Sequence, residues 1–173
     1  VAVGFGIIVP AIPLFARSFG VSNAAVGLII SLFALSRFAS GLFSGKLVDR
    51  FGERTVFAVG VALVALSVGA CGIAQSYNQL LFFRAAGGLG SSMFSVAASS
   101  VILRSVSDAQ RGHAMSVYNG SFLLGAIAGP AIGGGLAAIS LRAPFFVYAL
   151  TLSTSGIVAF LFFTSEHLQA PKK

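Results

Sequence analysis

The side chains able to do chemistry are few, and their placement narrows what that chemistry can be. Of eleven basic and four acidic residues, Lys46, Asp49, Arg50, Glu53 and Arg54 fall within one ten-residue stretch flanked by almost wholly apolar runs. Arg37 and Arg84 stand alone inside apolar runs, as do Tyr118 with Asn119 and the series Ser91, Ser92, Ser95, Ser99 and Ser100. The acids Asp49, Glu53, Asp108 and Glu166 all fall in predicted loops or the tail, so no carboxylate is expected inside an apolar run. No nucleophile stands beside a base, there is no phosphate loop, and no two carboxylates are paired for acid–base work. His113 and His167 have no second set of ligands near them, so no metal site is expected, and nothing calls for a cofactor. What remains is noncovalent: recognition of charge and hydrogen bonding.

The elements that must position these groups are membrane helices. With 57% hydrophobic and 9% charged residues, the chain lies far from the soluble average, in which about a quarter of residues are charged. Its net charge of +7 forms no basic run interleaved with aromatics, so a nucleic-acid partner is not expected; the lipid bilayer is. Cys71 is the single cysteine, which excludes an internal disulfide framework. Six apolar segments, 1–16, 24–44, 55–74, 79–103, 114–139 and 143–164, are comparable to the roughly 20 residues that cross a bilayer core. The first is short and the chain begins inside it, so a fragment or a trimmed start is expected. The charged stretch then reads as a tight hairpin at the membrane surface, with Gly45 allowing two helices to approach and Gly52 supplying a positive φ. Asp49 is expected against a helix N-terminus, where the dipole favours a carboxylate. If that hairpin is cytoplasmic, its side collects Lys46, Arg50, Arg54, Arg104, Arg111, Lys172 and Lys173 against Arg17 and Arg142, a bias of seven to two. Both chain ends are then cytoplasmic, in a plasma membrane.

The order Gly45-Lys46-Leu47-Val48-Asp49-Arg50-Phe51-Gly52-Glu53-Arg54 resembles the signature loop between helices 2 and 3 of the major facilitator superfamily of transporters. Three further stretches are similar to motifs of that family, in the right order. Pro10 and Pro13 resemble the first-helix proline motif of the twelve-helix drug:proton antiporters. Arg84-Ala85-Ala86-Gly87-Gly88-Leu89-Gly90 resembles the conserved-arginine motif, with Gly87 where the family often has glutamine. Gly125-Ala126-Ile127-Ala128-Gly129-Pro130-Ala131-Ile132-Gly133-Gly134 resembles the antiporter motif of helix 5. Gly125, Gly129 and Gly133 share one helix face and permit close backbone contact, while Pro130 leaves the Ala126 carbonyl without its helical partner and favours a bend. Such a bent, glycine-faced helix suits a rocking seam between two halves. The resemblance implies an all-α membrane protein whose six helices, residues 1–164, form the amino-terminal bundle as two inverted three-helix repeats, with 165–173 a tail or the start of the inter-half linker.

Two departures carry their own reading. The family usually has a basic residue four positions after the loop aspartate and often an acid at the inner end of helix 4. Here Glu53 and Arg104 stand at those places, and the exchange predicts a charge-reversed pair latching the inner ends of helices 2 to 4. The second departure is the missing intramembrane carboxylate, which proton-driven transport commonly uses. A proton carrier would then lie in the missing start of helix 1, in a missing second half, or in Arg84 acting with water. Arg84 is expected either in a coupling role facing a cavity or snorkelling outward, and Arg37 either against an anionic substrate or, the reading preferred, bonding helix carbonyls as a structural tie. Tyr118 and Asn119 are candidate cavity residues. The two arginines make that cavity weakly cation-repelling, which disfavours a strongly cationic drug.

The resemblance thus implies efflux of a small amphipathic substrate by alternating access, with proton coupling left open. Its partner would be a carboxy-terminal six-helix half, against which Asp49 and its neighbours would dock as the inner gate. An importer of the same fold and a non-transporting membrane scaffold are the alternatives.

Overall fold

The structure, a computed structural model, describes residues 2–162, with side chains placed through residue 159. Glu166, His167, Lys172, Lys173 and the expected tail lie outside the described residues. Six α-helices follow one another: α1 (Ala2–Arg17), α2 (Asn23–Phe51), α3 (Glu53–Ile73), α4 (Tyr77–Ser105), α5 (Arg111–Ile139) and α6 (Ala143–Phe162), with a 3-10 turn at Asp108–Gln110. Four of them, α2 to α5, are long and apolar enough to cross a membrane; α1 and α6 are shorter apolar helices. Large apolar side chains such as Leu66, Phe82 and Ile127 face outward. In a soluble protein that would be an aggregation surface, whereas in lipid it is the solvent-compatible one.

Local chemistry sets the helix ends. Ser22 and Ser76 cap α2 and α4, each accepting from the backbone N–H three residues on, at 3.3 Å. That satisfies one of the orphan donors of the first turn. The charged stretch corrects the expected hairpin. Rather than leaving the helix after residue 44, the chain continues helical to Phe51, and the single non-helical residue before α3 is Gly52 at φ 79°. Nothing between Gly45 and Phe51 breaks a helix, and the positive φ that turns the chain is available to glycine alone at this site. At 29 residues α2 is about 44 Å long, so its charged end projects beyond a hydrocarbon core of about 30 Å.

Two expectations within this stretch fail. Gly45 meets no close neighbour, since open space surrounds the position its Cβ would take. Asp49 lies exposed on the last turn of α2, and the carboxylate at a helix N-terminus is Glu53, the first residue of α3.

Helix α4 packs on both α2 and α3, α1 on α5, and α6 joins α1 to α3. Phe145, Ile8, Ile29, Leu80 and Leu152 are the largest fully buried side chains, at these crossings. Where the backbones come closest, glycine removes the obstruction. Gly125, Gly129 and Gly133 are buried, and an added Cβ on any of them would collide with the α1 backbone at Ala2, Gly6 or Ile7. The face expected to form a seam between two halves is therefore already occupied inside this bundle, by α1. Gly134, in contrast, faces open space. Pro10, Pro13 and Pro130 all lie inside helices that continue through them. One absent N–H removes one rung, and the rungs on either side hold the helix.

The α1–α5 contact gives the first prediction. Gly129→Ala should destabilise the folded protein by about 1–3 kcal/mol through overpacking, whereas Gly134→Ala, with space and better helix propensity, should be neutral or stabilising by up to about 1 kcal/mol. Thermal melting of the two purified variants checks this, and a lower melting temperature for Gly134→Ala than for Gly129→Ala would contradict the packing.

Candidate functional site

All six helices contribute to one cavity of about 380 Å³. Phe5 of α1, Phe94 of α4, Phe122 of α5 and Tyr148 of α6 give it aromatic walls; Val61 and Val64 of α3 and Leu152 of α6 add aliphatic ones. Its polar groups are Arg37 from α2, Ser91, Ser95 and Ser99 from α4, and Tyr118 and Asn119 from α5. Concave, mostly apolar and carrying a few convergent polar groups, it has the character of a small-molecule site.

Arg37 decides the electrostatics of this cavity. Its Nη1 donates to Ser91 Oγ at 3.0 Å and its Nη2 to Ser95 Oγ at 3.2 Å, so the side chain crosses from α2 to α4. Ser95 Oγ in turn donates to the Ser91 carbonyl at 2.8 Å. The partners of Arg37 are therefore side-chain hydroxyls and not the helix carbonyls expected from the sequence. The Tyr118 hydroxyl is buried on α5, with no hydrogen-bond partner among the described residues.

Below Arg37 the same two helices are joined by serines. Ser40 Oγ lies 2.5 Å from Ser92 Oγ, and Ser44 Oγ lies 3.1 Å from it. Ser36, Ser40 and Ser44 are not among the expected site residues, although their spacing of four residues puts them on one face of α2 and is the signal the sequence carries. Phe33 and Tyr148 are not among them either, since an aromatic in an apolar run gives no such signal.

Arg84 has a different setting. It is 6% exposed and does not snorkel outward; its guanidinium carbon stands 4.0 Å from the centroid of the Phe33 ring, a cation–π arrangement. It is not among the residues lining the cavity.

At the inner helix ends the structure brings Glu53 and Arg104 together, Arg104 Nε standing 3.0 Å from Glu53 Oε1. Ser100 Oγ donates to the same oxygen at 3.1 Å. The pair is asymmetric, with the Glu53 side chain 7% exposed and that of Arg104 61%. It ties α3 to α4, and α2 takes no part in it. Asp49 and Arg50 are exposed on the final turn of α2, and Arg54 is half-buried just beyond. Asp49 has no hydrogen-bond or ion-pair partner among the described residues.

Comparison with known proteins decides the family. The family model described as Major Facilitator Superfamily matches residues 1–173, the whole chain. The chain belongs to the major facilitator superfamily. Among curated relatives, this superfamily member is similar to multidrug resistance protein 2 of Bacillus subtilis (strain 168), with 27% identity over 170 residues, 98% of this chain and 42% of that protein. It is also similar to quinolone resistance protein NorA of Staphylococcus aureus, with 28% identity over 162 residues, 91% of this chain and 40% of that one. The chain thus spans about two fifths of the length of the curated relatives it matches.

The Glu53–Arg104 pair is testable as a double-mutant cycle with Glu53→Gln and Arg104→Gln. Because Arg104 is largely solvated, the coupling should be about 0.5–1.5 kcal/mol, below that of a fully buried pair. Chemical or thermal unfolding of the four proteins measures it, and strictly additive single effects would show the two charges to be independent.

Proposed function

We propose that the chain is the amino-terminal half of a secondary active transporter that exports small amphipathic compounds by alternating access. The observation that carries this reading is the cavity to which every helix contributes, aromatic-walled with Arg37, Tyr118 and Asn119 on one lining. The relatives are named for resistance to drugs, and each is more than twice as long as the chain. Helices α2 and α5 bury only 11% and 17% of their most apolar windows, against 56% and 44% for α3 and α4. They are the faces on which a second half would close over the cavity.

The helix pairing supports two inverted three-helix repeats. Shifting each helix by three maps the extensive α2–α4 contact onto an equally extensive α5–α1 contact and leaves α3–α6 in place, while α6–α1 is much smaller than its counterpart α3–α4. In this reading α1 and α6 complete the six spans of the amino-terminal bundle, and residues after 164 lead towards the other half. The basic residues support a cytoplasmic location for the α2–α3 and α4–α5 ends and for both termini, in a bacterial plasma membrane. Gly45, Asp49, Arg50, Gly52, Glu53, Arg54 and Arg104 then form the inner gate. Glu53 and Arg104 fix the ends of α3 and α4, while the unpartnered Asp49 docks on the other half. Gly134, in open space on α5, is a residue that half could cover. Asp49, Glu53 and Asp108 all lie at helix ends, so proton coupling would draw on a carboxylate outside the described residues or on Arg84 acting with water.

The test is transport by the complete protein in energised inverted membrane vesicles. Wild type should accumulate an amphipathic dye, Asp49→Asn should slow accumulation about tenfold, and Gly52→Val, which forces a side chain into positive φ, should do so at least as severely. Dye accumulation no faster than in vesicles lacking the protein would overturn the proposal.

A further inference from the structure

We propose that Arg37 is the anion anchor of the cavity and that the compounds it takes are small aromatic carboxylates, not amphipathic cations. This rests on the transport reading and names its substrate class. A guanidinium carries five N–H donors in a planar fork, and the two contacts observed use only part of that capacity. Both acceptors are neutral hydroxyls, so the hydrogen bonds hold the group in place without neutralising it. The described acids lie elsewhere: Asp49, Glu53 and Asp108 are at the inner helix ends, with Glu53 on Arg104 and Asp108 on Arg111. The cavity therefore presents a fixed positive charge with no counter-ion among the described residues.

The neighbours of Arg37 fit the same ligand. The Tyr118 hydroxyl is buried with no hydrogen-bond partner among the described residues, and the Asn119 amide lines the same cavity, so further donors lie within the cavity that holds the guanidinium. A carboxylate takes donors on two oxygens in the plane that the Arg fork matches. Phe5, Phe94, Phe122 and Tyr148 offer surfaces for a ring attached to it. An ammonium in the same position would be desolvated beside a like charge, with only hydroxyl and amide oxygens to receive its hydrogens. The serine contacts also explain why a bare arginine is held here: it is pre-positioned across α2 and α4, so that little side-chain ordering remains when a ligand arrives.

The experiment is equilibrium dialysis of three radiolabelled probes of one shape, 2-naphthoate, 2-naphthamide and 2-naphthylmethylammonium, against the complete protein in lipid nanodiscs. Wild type should bind naphthoate about tenfold more tightly than naphthamide and bind the ammonium most weakly. Arg37→Gln should bring the naphthoate-to-naphthamide ratio close to one, and Arg37→Lys, which keeps the charge without the fork, should leave it intermediate. Equal binding of the three probes by wild type, preference for the ammonium, or an unchanged ratio in Arg37→Gln would overturn the proposal. The wild-type order needs no variant, so it tests the idea even if a substitution fails to fold. Binding and vesicle uptake of the amide or the ammonium without preference for the acid would sink this inference and leave transport standing. Binding of none of them, with no dye accumulation, would remove both.

Discussion

The bundle depends on how closely helix backbones can approach. In lipid, burying an apolar side chain between helices gains little over leaving it against acyl chains, so packing contacts and hydrogen bonds between helices must hold the fold. Here α1 lies on α5 where Gly125, Gly129 and Gly133 leave no side chain between the backbones, and α3 meets α4 at Gly60 and Gly90 in the same way. These contacts fix the positions of Phe5, Tyr118 and Asn119 around the cavity. One methyl group at Gly129 would push α1 away and displace that wall as a unit.

The second requirement is the accommodation of charge within apolar helices. Arg37 and Arg84 are both single cations in apolar runs, yet their surroundings differ. Arg84 is buried over the face of Phe33, where the ring quadrupole offsets part of its lost hydration. Arg37 is held between serine hydroxyls at the edge of open space, with most of its donors uncommitted. One arginine is absorbed into the packing over Phe33, and the other is displayed at the cavity. The serines of α2 and α4 make the difference, because they form a hydrogen-bonded seam where apolar residues would supply only contact.

At the inner ends the charges are divided in a comparable way. Glu53 is enclosed by Arg104 and Ser100 and sits at the start of α3, where the helix dipole also favours a carboxylate. Asp49, on the last turn of α2, is exposed and has no hydrogen-bond or ion-pair partner among the described residues. A fixed acid and an available one thus flank Gly52, the residue whose positive φ turns the chain.

The class of protein, the helices and their approximate limits were legible in the sequence, because apolar run length and the scarcity of charge follow directly from the thickness and polarity of the medium. Gly52 as the turning point was also legible, since positive φ excludes other residues. So were Glu53 and Arg104 as two charges of opposite sign at places where the resembled family has the reverse. Only the tertiary structure decided which helix uses the glycine face of α5, since a small-residue stripe records that something lies close and not what it is. It also decided that Gly45 has no close neighbour, that α2 runs straight into the charged stretch, and that Arg37 bonds to serines 54 and 58 positions away. Those contacts join residues far apart in the chain, and local periodicity carries no record of which distant partner a side chain will meet.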